Sequence, residues 1–160
     1  MSLSNQMNLE IKLDDQATFK NYYAPKGSSQ QLAKFVLQES THKIACLVCN
    51  SGSGLSHLLQ ATCQRSPFDT NEAAIYLPLK ELQDYPADQI FEGLHSAPIV
   101  CVDDLHLVAS KADWQVPLFN FFNDCRQSGT KLIFSSHQLL EDMSVQLPDL
   151  LSRLQSGLIH

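Results

Sequence analysis

The sequence predicts an α/β fold: a three-layer sandwich on a five-stranded parallel sheet, with helices over both faces. Short apolar runs recur at residues 44–48, 73–77, 99–102 and 131–134, and a last one opens at 157. They are continuous rather than alternating, as in strands buried on both sides. Between them lie stretches with apolar residues at helical spacing, so strands and helices take turns, the order that yields a parallel sheet. Polar residues end three of these runs, where open α/β sheets hold their ligands.

At 160 residues one domain is expected, large enough for a real core. Hydrophobic residues make up 44% and charged residues 18%, ordinary for a globular protein. The 11 basic and 17 acidic residues give a net charge of −6, which argues against a broad basic face gripping nucleic acid. No apolar run approaches a membrane span, and no basic-then-apolar leader stands at the start. A cytoplasmic protein without direct DNA binding is expected. Of the five cysteines, Cys46, Cys63, Cys101 and Cys125 lie in apolar surroundings and are expected as reduced core residues.

Residues 1–26 lack helical period. Within them Gln6-Met7-Asn8-Leu9-Glu10-Ile11 sets a polar anchor before alternating apolar side chains. Such a segment can lie extended in a partner's groove, although a frayed terminus or edge strand is the plainer reading of so short a pattern. Ser28 or Ser29 caps a helix with Leu32, Phe35 and Val36 on one face. The first strand and a helix over 54–65 follow, and the second strand is stopped by Pro78. A short helix is expected over 88–94, with Pro86 near its start. The third strand runs into Asp103. Residues 113–126 carry Trp114, Leu118, Phe121, Phe122 and Cys125 at helical spacing, with Pro117 either in the first turn or kinking the helix and Gly129 as the stop. After the fourth strand a helix-prone polar stretch reaches Gln146, and Pro148 opens a short helix through Leu154.

The strand at 44–48, the turn Cys49-Asn50-Ser51-Gly52-Ser53-Gly54 and the helix opening Leu55-Ser56-His57 have the layout of a phosphate-binding loop. The pattern G-x-x-x-x-G-K-[ST] is met only at Gly54 and Ser56. Cys49 stands for the first glycine and Leu55 for the lysine. Backbone N–H groups of residues 51–56 can cradle phosphate oxygens without any particular side chain, and the Ser56 hydroxyl can reach a Mg²⁺. Missing is the ammonium on the β and γ oxygens. Such a charge-assisted hydrogen bond contributes about 1.5–3 kcal/mol, or about ten- to a hundredfold in affinity.

Asp103 and Asp104 end an apolar strand one strand–helix pair later. In phosphate-loop proteins an acid there holds the Mg²⁺ and the next orients the attacking water; alone, two acids after a strand are a solvated loop. Ser135-Ser136-His137 closes another strand on the same rim. Three polar strand ends on one rim favour a site over coincidence. His57 and His137 lie near it, whereas His42, His95, His106 and His160 read as surface or turn residues. Cys46-Leu47-Val48-Cys49 has redox spacing, but its first thiol is mid-strand, so a structural role is expected. Arg153, on the short last helix, either pairs with a local acid or reaches a neighbouring subunit's phosphates.

Taken together, these residues resemble the AAA+ core of the DnaA family, and within it the Hda-type regulators. The resemblance spans nearly the whole chain. It is carried by residues 17–22, 52–54, 56–61 and 74–79, then by Val102-Asp103-Asp104-Leu105, Leu118-Phe119-Asn120, Leu147-Pro148-Asp149-Leu150 and Ser152-Arg153-Leu154, with Gly157-Leu158 last. It implies a P-loop NTPase core over residues 14–160 without the family's helical lid, preceded by an extended clamp-binding segment over 1–13. Nucleotide would meet Asn50, Ser51, Gly52, Ser53, Gly54, Leu55, Ser56 and His57, with Ser136 near the sensor position. Asp103 and Asp104 would be the acidic pair, and Ser56 with Asp103 would hold Mg²⁺. Arg153 falls on the family's arginine finger, implied to act on ATP held by DnaA. Gln6, Met7, Leu9 and Ile11 would bind the polymerase sliding clamp. The implied function is a regulator of replication initiation that promotes hydrolysis of DnaA-bound ATP and is itself not an efficient ATPase. Its own ADP or ATP would be weakly held because of Leu55. The alternative is a degenerate AAA+ interaction module with no ATPase-linked activity.

Overall fold

The computed structural model describes residues 44–48, 54–64, 74–155 and 158–159. The expected clamp segment (Gln6, Met7, Leu9, Ile11), the helix after Ser28 or Ser29 and the loop residues Asn50, Ser51, Gly52 and Ser53 lie outside the described residues.

Strand β1 (Ile44–Val48) leads to α1 (Leu55–Gln64), β2 (Ile75–Pro78) and two short helices, α2 (Leu79–Leu82) and α3 (Ala87–Phe91). Then come β3 (Ile99–Asp103), α4 (Ala112–Ser128), β4 (Lys131–Ser136), α5 (Pro148–Gln155) and β5 (Leu158–Ile159). The sheet order is β2-β3-β4-β1-β5, and every pairing is parallel. The five-strand expectation needs correcting in degree. Four strands carry the sheet, and the fifth is a two-residue edge in which Leu158 and Ile159 pair with Ala45 and Cys46.

Side-chain alternation along the strands divides the core in two. Cys46, Leu77, Val100, Val102, Leu132 and Phe134 face α3, α4 and α5, in the cluster that holds Trp114, Phe121 and Phe122. Ala45, Leu47, Ile99, Cys101 and Ile133 face the other way, onto Leu55, Leu58 and Leu59 of α1. Both faces being apolar explains why the strands read as unbroken runs. All four described cysteines are free and buried. Burial pushes the Cys46 and Cys125 thiols up to about 12, so neither is a ready thiolate. Among the described residues no helix is long and apolar enough to cross a membrane.

Two local outcomes differ from expectation, the short helix directly after β2 and the stretch before Gln146. Pro78 stops β2 as expected, being its last residue, opposite Asp103; β2 is an edge strand among the described strands, where proline is tolerated. The chain then turns at once into α2, whose Leu79 and Leu82 are buried. The helix expected before Gln146 is only a 3-10 turn at Leu140–Asp142. Ser136 folds the preceding turn onto Gln138, accepting its N–H at 2.9 Å and donating to its carbonyl at 2.7 Å, and Ser144 takes φ 55. Helix α4 ends as expected at Gly129, which adopts φ 74 and donates its N–H to the Cys125 carbonyl.

Candidate functional site

The parallel strands bring the ends of β1, β4 and β3 side by side, with β4 in the middle. Helix α1 starts at Leu55, seven residues after Val48 closes β1. Gly54 adopts φ 80, a region that favours glycine, and its carbonyl accepts the first helical bond from Leu58 N–H at 3.1 Å. Ser56 and His57 stand half-buried in the first turn. Leu55, at the position of the phosphate-gripping lysine, is 2% exposed and packs with Leu58 and Leu59 against the sheet. Its side chain is core, so only its backbone is available to a ligand.

At the end of β3, Asp103 is 2% exposed. Its Oδ1 accepts the Ser135 hydroxyl at 2.5 Å, and its Oδ2 accepts the Tyr76 hydroxyl at 2.5 Å. Ser135 in turn accepts the backbone N–H of Asp104 at 2.9 Å. The parity of the strands dictates this set. Tyr76 lies opposite Cys101, and Leu47 opposite Ser135, so Tyr76, Asp103 and Ser135 fall on the face that carries α1. Ser136, the sensor-position serine of the sequence reading, projects to the other face and is occupied by Gln138. The serine that meets the acid is therefore Ser135.

Tyr76 was missed by sequence reasoning, because an aromatic in an apolar strand reads as core. The available signal was its place two residues before the end of a strand adjoining the acid-bearing one. Burial first, and the Asp103 charge second, hold its phenol well above the ordinary tyrosine range, so it remains a donor.

Asp104 turns away from the strand at φ 63, ψ 48. Its Oδ1 lies 3.4 Å from His137 Nε2. The His137 backbone N–H donates to His106 Nδ1 at 3.3 Å, and the two imidazole centroids are 5.2 Å apart. His106, expected as a turn residue, is in a turn, the 3-10 turn Leu105–Leu107, but that turn carries it into the site. Burial, then the Asp103 charge, raises the Asp104 carboxyl, while burial lowers His106 below 6.5. For His106 the unfolded chain binds more protons just below pH 6.5, so its contribution makes stability rise with pH there. For Asp104 the folded state binds more protons just above pH 3.8, so stability falls as pH rises through that window. The melting temperature is expected to climb as pH approaches 6.5 from below, and the climb should shrink in His106→Gln. A thermal-shift series in pH checks it.

The Mg²⁺ that the loop pattern implies fits these residues poorly. Of the two side chains that would hold it, Ser56 and Asp103, the carboxylate is already engaged by the Tyr76 phenol. Each Asp103 oxygen already takes a hydroxyl proton. Among the described residues no group of three or more His, Cys, Asp and Glu is placed to hold a metal. Arg153 stands half-buried in the last turn of α5. A cavity of about 580 Å³ lined by Phe91, His95, Pro117, Phe121 and neighbouring carboxylates contains none of the predicted site residues.

A parallel sheet whose middle strand separates a loop-bearing strand from an acid-bearing one has the layout of a P-loop-type α/β core. The chain belongs to the bacterial DnaA ATPase domain family, which it matches over residues 13–160. An uncharacterized protein of Haemophilus influenzae is 32% identical over 163 residues, covering 99% of this chain and 68% of that protein. Among solved structures, AMPPCP-bound DnaA from Aquifex aeolicus superposes with a TM-score of 0.76 at 21% identity, over 92% of this chain and 50% of that one. Domain III of the Thermotoga maritima replication initiation protein DnaA gives 0.73 at 24% identity, over 93% of this chain and 68% of that one. The chain thus spans half the length of the Aquifex DnaA chain it matches.

Proposed function

We propose that this protein is an Hda-like regulator of replication initiation, which presents Arg153 to ATP held by DnaA and promotes its hydrolysis in concert with the sliding clamp. The observation that carries the reading is the contrast between two positions. Leu55 has left the phosphate site for the core, while the helix with Ser152-Arg153-Leu154 is whole, its Leu150 and Leu154 buried against the body of the domain. A chain that gives up its own lysine yet keeps a well-seated arginine is suited to act on another protein's nucleotide. The guanidinium is always charged and offers a planar fork of donors, which suits the oxygens of a transferring phosphoryl group. In this reading Arg153 binds and orients, and the hydrolytic water belongs to DnaA.

The clamp enters through Gln6, Met7, Leu9 and Ile11, whose polar-then-alternating pattern fits an extended segment lying in a groove. The assay adds the protein and DNA-loaded clamp to ATP-bound DnaA and follows phosphate release. Gln6→Ala is expected to lower clamp retention in a pull-down about tenfold, by removing one well-placed polar contact, and to lower stimulation with it. Clamp capture with no effect on DnaA would instead favour an interaction module.

A further inference from the structure

Gln115 is a polar side chain in an apolar place. It follows Trp114 in α4 and is 4% exposed. Its Oε1 accepts the Leu147 backbone N–H at 2.8 Å, and its Nε2 has no hydrogen-bond partner among the described residues. Turning the amide over gives no relief, because the Leu147 N–H needs an acceptor and only the oxygen is one. An orphaned buried donor is destabilising, and methionine or leucine would fill the space without it. What the glutamine supplies and they would not is a directional bond to Leu147.

Leu147 is where α5 begins. The Leu151 N–H donates to the Leu147 carbonyl at 3.2 Å, which makes Leu147 the residue that opens the helix. A leucine has no side-chain oxygen to cap a helix, and Pro148 after it has no N–H. The entrance to α5 is therefore fixed from α4 rather than locally. Leu150 and Leu154 press the helix onto the core, but apolar contact is non-directional and sets the buried face more than the position along the axis. Arg153 follows Leu147 by six residues, about 9 Å along the axis. We infer that Gln115 is a positioning residue for Arg153: its bond to Leu147 sets the axial position of α5, and with it the reach of the guanidinium. This deepens the function proposed above and rests on it, since the rate at stake is hydrolysis of ATP held by DnaA.

Two variants of the whole protein part stability from activity. Gln115→Met keeps the volume and removes both the acceptor and the orphaned donor. Gln115→Glu keeps an acceptor oxygen but buries a carboxyl, which must hold its proton or lose its hydration. Gln115→Met is expected to melt within about 2 °C of wild type, yet to stimulate ATP-bound DnaA with loaded clamp about tenfold less, since small misplacements of a reacting group are costly. The loss should fall on the maximal rate rather than on the protein concentration that gives half of it. Gln115→Glu should melt lower and stimulate more than Gln115→Met. Amide exchange without DnaA gives a second reading: the Leu151 amide should exchange about tenfold faster in Gln115→Met than in wild type. Stimulation by Gln115→Met at the wild-type rate, or activity that follows melting temperature in both variants, overturns the inference. A wild-type protein that gives no stimulation is instead the failure of the Arg153 reading. The exchange comparison then decides on Gln115 by itself, faster exchange upholding its hold on α5 and equal exchange refuting it.

Discussion

Arg153→Ala is expected to abolish stimulation of DnaA-bound ATP hydrolysis, by about 10³-fold or more, the range an arginine finger supplies, while leaving the fold intact. The separation follows from where the residue sits. Helix α5 is held by Leu150 and Leu154, each 1% exposed, and by the Leu147 N–H donating to Gln115 Oε1 of α4 at 2.8 Å. None of this passes through Arg153, which is half-buried at the far end of the helix. These anchors remain in the variant, so helix α5 should stay docked. Arg153→Lys keeps a positive charge but gives up the planar fork, so it should recover only a small part of the rate. Phosphate release by ATP-bound DnaA with loaded clamp, run beside a thermal melt, reads both quantities. Full stimulation by the alanine variant would remove the basis of the functional reading.

Leu55→Lys, which writes the missing loop lysine back into the sequence, should destabilise the protein by about 2–5 kcal/mol rather than restore an ATPase. Leu55 is packed in the apolar layer between α1 and the sheet, and removing its branched side chain empties that space. The lysine then either buries an ammonium, which must shed its proton or its hydration, or swings its stem outward and leaves the cavity. Both routes lose most of the leucine's contribution, a large share of the roughly 5–15 kcal/mol that stabilises a domain. Urea unfolding of Leu55→Lys beside Leu55→Ala measures it, and unchanged stability with new ATP turnover would show that the position is still a phosphate contact.

The strands were legible from their apolar runs: residues 44–48, 99–102 and 132–134 are uninterrupted and buried on both faces, so each announces itself as an apolar block. Asp103 and Asp104 were legible for the complementary reason, as charges that break such a block. The partners of Asp103 were not. Choosing Ser135 over Ser136 requires the register of β4 against β3 and β1, and that register is a property of the assembled sheet. Tyr76 and His106 were hidden similarly, one by looking like core and the other by looking like a turn. The 137–146 stretch misled because its leucines, glutamate and methionine favour helix locally, whereas burial of Leu140 and Met143 pins it in a tighter path.

The left-handed backbone at Asp104 separates the two adjacent aspartates in what they tolerate. Asp103 is extended, and its identity matters for what its carboxylate accepts. At 104 the main chain itself selects the residue, because side chains branched at Cβ clash in that conformation while asparagine, aspartate and glycine enter it readily. Natural variants of this position should accordingly drift among those three, losing the charge more easily than the bend.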